Sequence, residues 1–410
     1  MNSSYDILVI GGGAAGFFTA INSAENAPHL SVAILERGKE VLTKVRISGG
    51  GRCNVTHAEF VPSELVGKYP RGEKELLGPF HTFMTGDTIA WFEERGVDLK
   101  IEEDGRMFPI SDSSETIIQC FMREIEHLKI PVLTNHSVKT IKKNNELWEV
   151  VTQTESFAAK NIVVATGSNP KIWSVLKHLN HTIIPPVPSL FTFNIKDDRL
   201  NDLQGISTNA SIEVVDTLGK TILKEEGPLL ITHWGLSGPA VLKLSAWGAR
   251  MLHELDYCFS VRVNWLFDTS QDEIREAFKT LRSTSGKQGI STYAQFELPK
   301  RLWQAMVASV GIEENLKWAD LTRSDMDALA NQLTAAIYTV SGKSTFKEEF
   351  VTAGGVDLGE VNFKTFESKL NSNLYLAGEV LNIDAITGGY NFQNAWTGGF
   401  MIAQAITKDA

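Results

Sequence analysis

The chain is poor in cysteine, with Cys53, Cys120 and Cys258 the only three in 410 residues. No pair stands at C-x-x-C spacing, so neither a disulfide framework nor a dithiol redox motif is expected, and a cytoplasmic location fits such usage. No apolar run is long enough to cross a bilayer, and a buried-strand pattern begins almost at once, which leaves no room for a signal peptide. Positive charge is in deficit: 39 Lys and Arg stand against 49 Asp and Glu, for a net charge of −10. This argues against a surface built for nucleic acid or anionic lipid, so the expected partner is a small-molecule substrate, with no nucleic acid and no membrane. His, Cys, Asp and Glu do not cluster at ligand spacing, and no metal is expected. The sequence leaves the oligomeric state open. What is present is a globular balance, 43% hydrophobic and 21% charged, over a length that calls for two or three domains.

The organising stretch is Asp6-Ile7-Leu8-Val9-Ile10 followed by Gly11-Gly12-Gly13-Ala14-Ala15-Gly16. An unbroken β-branched run of this kind reads as a strand buried on both faces. The three glycines Gly11, Gly13 and Gly16 fill a G-x-G-x-x-G template. Gly11 permits the tight turn, Gly13 lets the backbone approach a pyrophosphate, and Gly16 lets helix and strand pack closely. A helix from Ala14 to Ala27 then offers its N-terminus to phosphate. The next strand, Ser31 to Leu35, ends in Glu36, about twenty residues past the last glycine, where an acid accepts from a ribose. Gly13→Ala is expected both to block the pyrophosphate and to strain the turn.

A second glycine-rich segment runs Ser48-Gly49-Gly50-Gly51-Arg52-Cys53-Asn54. It reads as a loop whose N–H groups converge on an anion beside arginine. Helices are expected over 88–95 and 113–127, the latter with Asp112 and Glu115 at capping-box spacing. Alternating segments from Val132 to Ala159 suggest a meander, and 161–167, ending at Thr166 and Gly167, returns to the buried-strand pattern. Pro185-Pro186-Val187-Pro188 reads as a hinge. Beyond it, short alternating strands suggest a β-barrel or sandwich, and a helical subdomain follows over about 271–334. The chain then returns: Leu374 to Ala377 is a buried strand ending in Gly378-Glu379, and Gly388-Gly389-Tyr390-Asn391 opens a final helix that includes Ala395. Such a return suits FAD rather than NAD alone, because a helix N-terminus near the flavin stabilises the negative charge of its reduced form. The expected fold is α/β: a Rossmann-like FAD-binding domain, 1–190 with 345–410, split by an inserted β-barrel domain, 191–344.

Four stretches carry a family resemblance: Ser48 to Asn54; Gly105-Arg106-Met107-Phe108-Pro109; Thr232-His233-Trp234-Gly235-Leu236-Ser237-Gly238-Pro239; and Gly378-Glu379-Val380-Leu381 with Gly388 to Asn391. Together they resemble the aminoacetone oxidase family of bacterial FAD-binding enzymes, also known as BaiN-like or YhiN-like flavoproteins. The resemblance implies glutathione-reductase-like topology and a FAD-dependent oxidoreductase. Amine oxidation and steroid enone reduction are both associated with the family. The chain departs from the family pattern at Asn382-Ile383-Asp384-Ala385 and at Ser168.

The expected cofactor contacts are Gly11, Gly13, Ala14, Ala15, Gly16, Glu36, Arg37, Lys44, Ser48 to Asn54 (Gly49, Gly50, Gly51, Arg52 and Cys53 between them), Val138, Thr166, Gly167, Gly378, Glu379, Gly388, Gly389, Tyr390, Asn391 and Ala395. His233 is the acid–base candidate, the plainer alternative being a histidine packed under Trp234. Cys53 has no partner cysteine nearby, so a buried small residue is favoured over a redox thiol. No second G-x-G-x-x-G occurs, so NAD(P)H could act only as a transient electron donor. An NAD(P)H-dependent reductase of enone-type compounds is the leading expectation. An amine oxidase using oxygen and a flavoprotein with an RNA-modification or binding role are the alternatives.

Overall fold

Ile7 to Ile10 are buried to within 3% of full exclusion, because this strand is paired on both sides. Ser3–Ile10 lies parallel to Val32–Leu35 on one side and to Ser156–Val164 on the other. Ile7 stands opposite Val32 and Asn161. In this computed structural model, which describes residues 3–345 and 351–408, the sheet continues outward through Val132–Leu133 at one edge. At the other it runs through Leu374–Leu376, Glu367–Ser368 and Val361–Asn362. The strand that returns near the C-terminus therefore pairs directly with Ser156–Val164, Leu374 opposite Ile162. Each connection inside the parallel part needs a crossover, and the helix Ala14–Asn26 supplies the first.

That helix packs on the last one, Tyr390–Thr407. Close approach is possible because Gly399 has no side chain: a Cβ there would lie 3.1 Å from the Ala15 carbonyl oxygen and from Thr19 Oγ1. An aromatic cluster seals the interface. Phe18 meets Trp91 at 4.6 Å and Trp396 at 5.4 Å between ring centroids, and Phe121 meets Trp396 at 5.6 Å. Burying a side chain such as Trp396, wholly excluded from solvent, contributes about 2 to 3 kcal/mol by apolar area.

The chain forms two compact units, Met1–Val187 with Val351–Ala410, and Pro188–Phe350. In the second, six strands close a barrel in the order Thr192–Ile195, Gly235–Ser237, Thr221–Ile231, Ser207–Val215, Cys258–Asn264 and Ala336–Ser344. The sandwich alternative is thereby excluded. The barrel's inward residues, among them Phe193, Ile212, Val214, Val261 and Val340, are continuous with the buried faces of Gln271–Thr284, Lys300–Ser309 and Arg323–Thr334. Helical subdomain and barrel thus share one core.

Several local expectations are corrected. The proline run has strand backbone, Ile183–Pro188 pairing with Thr352–Val356, and the boundary between the two compact units falls within it, after Val187. A sheet this narrow tolerates residues without N–H groups, and Gly354, at φ +142°, lets the partner approach, since a Cβ there would lie 2.6 Å from Pro186 Cα. The last segment of the expected meander, Ser156 to Ala159, and the buried strand after it are one strand, Ser156–Val164, which pairs with Leu147–Val151 in its first part and with Leu374–Leu376 in its last. The helix Ser114–His127 is capped by Ser113, whose hydroxyl accepts from Glu115 N at 3.3 Å, and not by Asp112, which has φ +53°. The earlier helix begins at Thr85 rather than Thr88. Helical backbone starts at Thr43, ahead of the second glycine segment, and is broken at Ser48, Gly49 and Gly50.

Candidate functional site

The three template glycines of the first turn have three separate duties. Gly11, at φ +118°, lies against the Ala165 carbonyl, so any Cβ would collide with backbone. A Cβ at Gly16 would sit inside the van der Waals radius of the Gly11 carbonyl oxygen. Gly13 differs: nothing lies within 4 Å of its Cβ position, and its backbone, φ −99° and ψ −170°, is open to any residue. Strain is therefore not part of a Gly13→Ala change, and only whatever approaches from outside would meet the methyl. Gly13 is the N-cap of Ala14–Asn26 and supplies no side-chain cap, and the first turn carries no acid. The helix end is left with unpaired N–H groups and a partial positive charge, a fit for phosphate.

Glu36 ends the second strand as expected, but its carboxylate already organises the turn. Oε2 accepts from Gly12 N at 2.9 Å and Oε1 from Gly38 N at 2.7 Å. Carboxylate oxygens have further lone pairs, so a ribose hydroxyl can still be accepted. Arg37 is exposed beside it. Val138 is buried two residues beyond His136, whose N–H donates to the Glu36 carbonyl at 2.8 Å.

Strand Ser156–Val164 runs on into Thr166 and Gly167, and a Cβ at Gly167 would be 3.6 Å from Glu379 Oε2. Glu379 is ion-paired with Lys44. Gly378 lies beside Ala15, its Cβ position 3.6 Å from the alanine methyl. The structure therefore gathers Gly11 to Gly16, Gly167, Gly378, Glu379 and Lys44 at one end of the sheet, the carboxyl ends of its parallel strands. That is where open α/β sheets bind ligands.

The second glycine segment fits less simply. Gly49, Gly50 and Gly51 all have positive φ and Ser48 Oγ donates to the Val45 carbonyl at 3.0 Å. Arg52, expected beside an anion, donates to Glu102 at 2.6 Å, reaches Asp112 at 3.4 Å and stacks 3.9 Å from the Phe108 ring centroid. Its charge is already matched within the chain. Cys53 is fully buried, and burial pushes its thiol up to about 12. It is protonated at neutral pH and suits packing, not redox exchange.

Asn54 leads into a short strand, Thr56–His57, that fastens the start of the last helix. Asn54, with its amide oriented by its neighbours, accepts from Gly389 N at 3.0 Å. The Val55 carbonyl accepts from Trp396 Nε1 at 2.9 Å. Thr56 Oγ1 donates to Gln393 Oε1 at 2.7 Å. His57 Nδ1 meets the Gly388 carbonyl at 3.0 Å, and its ring stacks on Tyr390 with centroids 4.6 Å apart. Tyr69 donates to the Tyr390 carbonyl at 2.6 Å. Asn391 turns back on its own loop, accepting from Ala385 N at 3.0 Å. Ala395 is buried one turn further on. Upstream, within the stretch Asn382 to Ala385, Asp384 is wholly buried and holds Arg71, Nε to Oδ1 being 2.5 Å. Sequence reasoning missed Thr56, His57, Tyr69, Arg71 and Asp384, whose partners lie some 300 residues away. The only local sign was that Thr56 and His57 directly follow a segment already singled out.

His233 belongs to the barrel unit. It lines a cleft of about 290 Å³ with Lys196, Asn201, Gln204 and Thr232. Trp234 is 57% exposed, and His233 is itself exposed, so the alternative of a histidine packed beneath the indole is excluded.

This fold and site define a Rossmann-type FAD-dependent oxidoreductase. The family model described as the HI0933-like protein Rossmann domain matches residues 5–405, and the chain belongs to that family. The chain is 30% identical over 423 residues to the ribosomal RNA dihydrouridine synthase of Haemophilus influenzae, all of each chain being covered. It is 28% identical over 409 residues to the 3-dehydro-bile acid delta(4,6)-reductase of Clostridium scindens, with 98% of each covered. Among solved structures, a 3-ketosteroid-delta4-(5alpha)-dehydrogenase from Rhodococcus jostii superposes with a TM-score of 0.55 at 12% identity, covering 99% of this chain and 97% of that one. This last likeness concerns the fold alone. Among the described residues, no helix is long and apolar enough to cross a membrane.

Proposed function

We propose that the chain reduces a carbon–carbon double bond conjugated to a carbonyl, and that NADPH or NADH serves as its transient electron donor. The names of the relatives support one shared chemistry. Dihydrouridine differs from uridine by two hydrogens across a double bond beside a carbonyl, and a delta(4,6)-reductase acting on a 3-dehydro bile acid removes a double bond conjugated to the 3-ketone. Bound FAD supplies the hydride for such a reduction. The residues that would hold it are Gly11 to Gly16, Glu36, Gly167, Gly378, Glu379 and Gly388 to Asn391. The open Cβ position of Gly13 and the uncapped helix start behind it are the observations that fit a pyrophosphate. The chain itself must position the substrate and deliver a proton to the carbon beside the carbonyl, and His233 is the candidate donor.

The observation that carries the substrate reading is the cleft beside His233. Lys196, Asp197, Asp198, Asn201, Gln204 and Thr232 make its lining largely polar and charged, with Ile195 and Leu200 as apolar members. Such a lining suits a uracil ring in RNA better than a sterol nucleus, which needs apolar walls. The overall charge of −10 opposes RNA, so binding should be weak and steeply salt-dependent. The 28% identity to a bile acid reductase supports a steroid enone as the second reading.

Anaerobic stopped-flow spectroscopy tests this. NADPH or NADH should bleach the flavin with saturation. Ribosomal RNA lacking dihydrouridine should then restore the yellow colour, and a 3-keto-4-ene steroid should do so under the second reading. His233→Ala should slow that reoxidation and leave bleaching unchanged. Bleaching by an amine alone, followed by peroxide on admitting air, would overturn the reductase reading.

A further inference from the structure

We infer that His57 is a positioning residue for the cofactor, acting through the backbone of Gly388 and Gly389 at the head of the last helix. The inference rests on the reading that Gly388 to Asn391 form one edge of the FAD site. Four consecutive residues, Asn54 to His57, each hold a group on or just before that helix. Three of these bonds reach the glycine and the side chains within the helix. Only His57 reaches the Gly388 carbonyl, the last backbone group before the helix cap.

The chemistry of the contact fixes the imidazole. A carbonyl oxygen only accepts, so Nδ1 carries the proton and donates. Burial lowers the His57 pKa, the hydrogen bond to Gly388 and the carboxylates of Asp104 and Glu59 partly opposing this while Lys68 adds to it. Neutral imidazole has a single N–H, and here it is spent on Gly388. The ring is clamped on both faces of its role. Tyr390 stacks against it at 4.6 Å and 26°. Gly105, at φ +84°, makes room for it, because a Cβ there would lie 2.6 Å from Nε2. Gly105 is glycine both for its own left-handed backbone and for the room this histidine takes.

Gly388 and Gly389 have φ of +134° and +95°, so two left-handed residues in a row must be held in register. A Cβ at Gly389 would lie 2.6 Å from the Thr56 carbonyl oxygen, which shows how closely the short strand presses on them. Releasing one bond lets this pair relax, and with it the N–H groups that follow at the helix start. Those N–H groups are the ones expected to face the flavin, so their displacement should change both its affinity and its reduction potential.

His57→Phe keeps the stack and removes the donor. His57→Asn places an amide N–H near the position of Nδ1 and removes the stack. FAD dissociation, followed by flavin fluorescence, should weaken about fivefold to tenfold in His57→Phe, the value of one hydrogen bond, and recover in His57→Asn. The flavin midpoint potential should move in the first variant and return in the second. The melting temperature of the cofactor-free variants separates folding from positioning. Equal FAD affinity and potential in His57→Phe and the parent would overturn the inference, as would equal losses in both variants. Gly13→Val serves as the control on the underlying reading: if it too retains FAD, the cofactor edge itself is misplaced, whereas loss there with no effect at His57 removes the positioning role alone.

Discussion

The two glycine-bearing edges of the sheet domain look alike in sequence and are built differently. At the first, Gly11 and Gly16 are demanded by neighbouring backbone, Ala165 in one case and Gly11 itself in the other. At the second, Gly388 and Gly389 are demanded by His57, Tyr390, Asn54 and Thr56, three of which lie more than 330 residues earlier in the chain. The first edge is mainly a local strand–turn–helix unit, with Ala165, at the end of strand Ser156–Val164, as its distant neighbour. The second exists only once the chain has closed on itself. The glycine pattern alone therefore says where a backbone bends but not what holds the bend, and the two edges should fail in different ways.

The largest effect is expected at the first edge. Gly16→Val places a branched side chain into the Gly11 carbonyl, with Val9 Cγ1 3.2 Å from the same Cβ position. A loss of about 4 kcal/mol or more follows from overpacking at such a point. Urea denaturation of the cofactor-free protein measures it, and a shift of less than about 1 kcal/mol would show that the turn is far more plastic than its geometry implies. At the second edge the comparable weak point is a side-chain pair. Asp384→Ala leaves Arg71, only 13% exposed, without this carboxylate. Removing one partner of a buried pair costs about 3 to 5 kcal/mol, and replacing both by apolar residues of similar volume, as in Arg71→Met with Asp384→Leu, restores most of it. A double variant no more stable than the single one would mean that the pair has a further role.

This difference also sets what could be read in advance. The strand, the turn, the helix and Glu36 were legible because each acts on its near neighbours in the chain. The closed barrel was legible only as short alternating strands, since its closure depends on Thr192–Ile195 meeting Ala336–Ser344. The proline run was legible as a boundary but not as a strand, for the same reason: Ile183–Pro188 is a strand only because Thr352–Val356 comes to pair with it. Arg52 misled in the opposite sense. Its place between Gly51 and Cys53 pointed to an anion, while Glu102 and Asp112, fifty and sixty residues on, answer its charge within the chain. The glycines at 388 and 389 were legible as a helix start, whereas His57 was silent.

The far end of the first strand offers a smaller test of how the first edge is supported. Asp6 accepts from Ser31 N at 2.9 Å and from Ser31 Oγ at 2.7 Å, and pairs with Lys160 at 2.8 Å, joining all three central strands. Burial raises its pKa, but the bonds from Lys160 and Ser31 outweigh burial and lower it from 3.8 to about 2. The folded state thus binds the proton less tightly than the unfolded chain. The stabilisation is complete above the unfolded value near 4 and is lost as pH falls through the folded value near 2. Because Lys160 is 67% exposed, screening reduces the pair's share, and a total of about 1 to 2 kcal/mol is expected. Asp6→Asn should lower stability by that amount at pH 7 and flatten the acid limb of the stability curve. An unchanged acid limb would assign the effect to other carboxylates.

Gly13→Ala should have the smallest effect on the cofactor-free fold, and for that reason separates the two duties of the first edge most cleanly. Gly11 and Gly16 are glycine because of what is inside the protein. Gly13 has ordinary backbone angles and no atom within 4 Å of its Cβ position, so the fold does not require it. An alanine here should leave the stability of the cofactor-free protein unchanged to within about 0.5 kcal/mol. If a pyrophosphate approaches this point, the same methyl should reduce FAD affinity about tenfold or more, because the glycine's place in the fingerprint is to let the backbone near the phosphates. The two measurements must diverge. Loss of stability together with affinity would mean that the turn is tighter than its contacts show. Full retention of FAD at limiting cofactor concentration would mean that the dinucleotide does not cross the first edge at Gly13, and the helix N-terminus behind it would need another occupant.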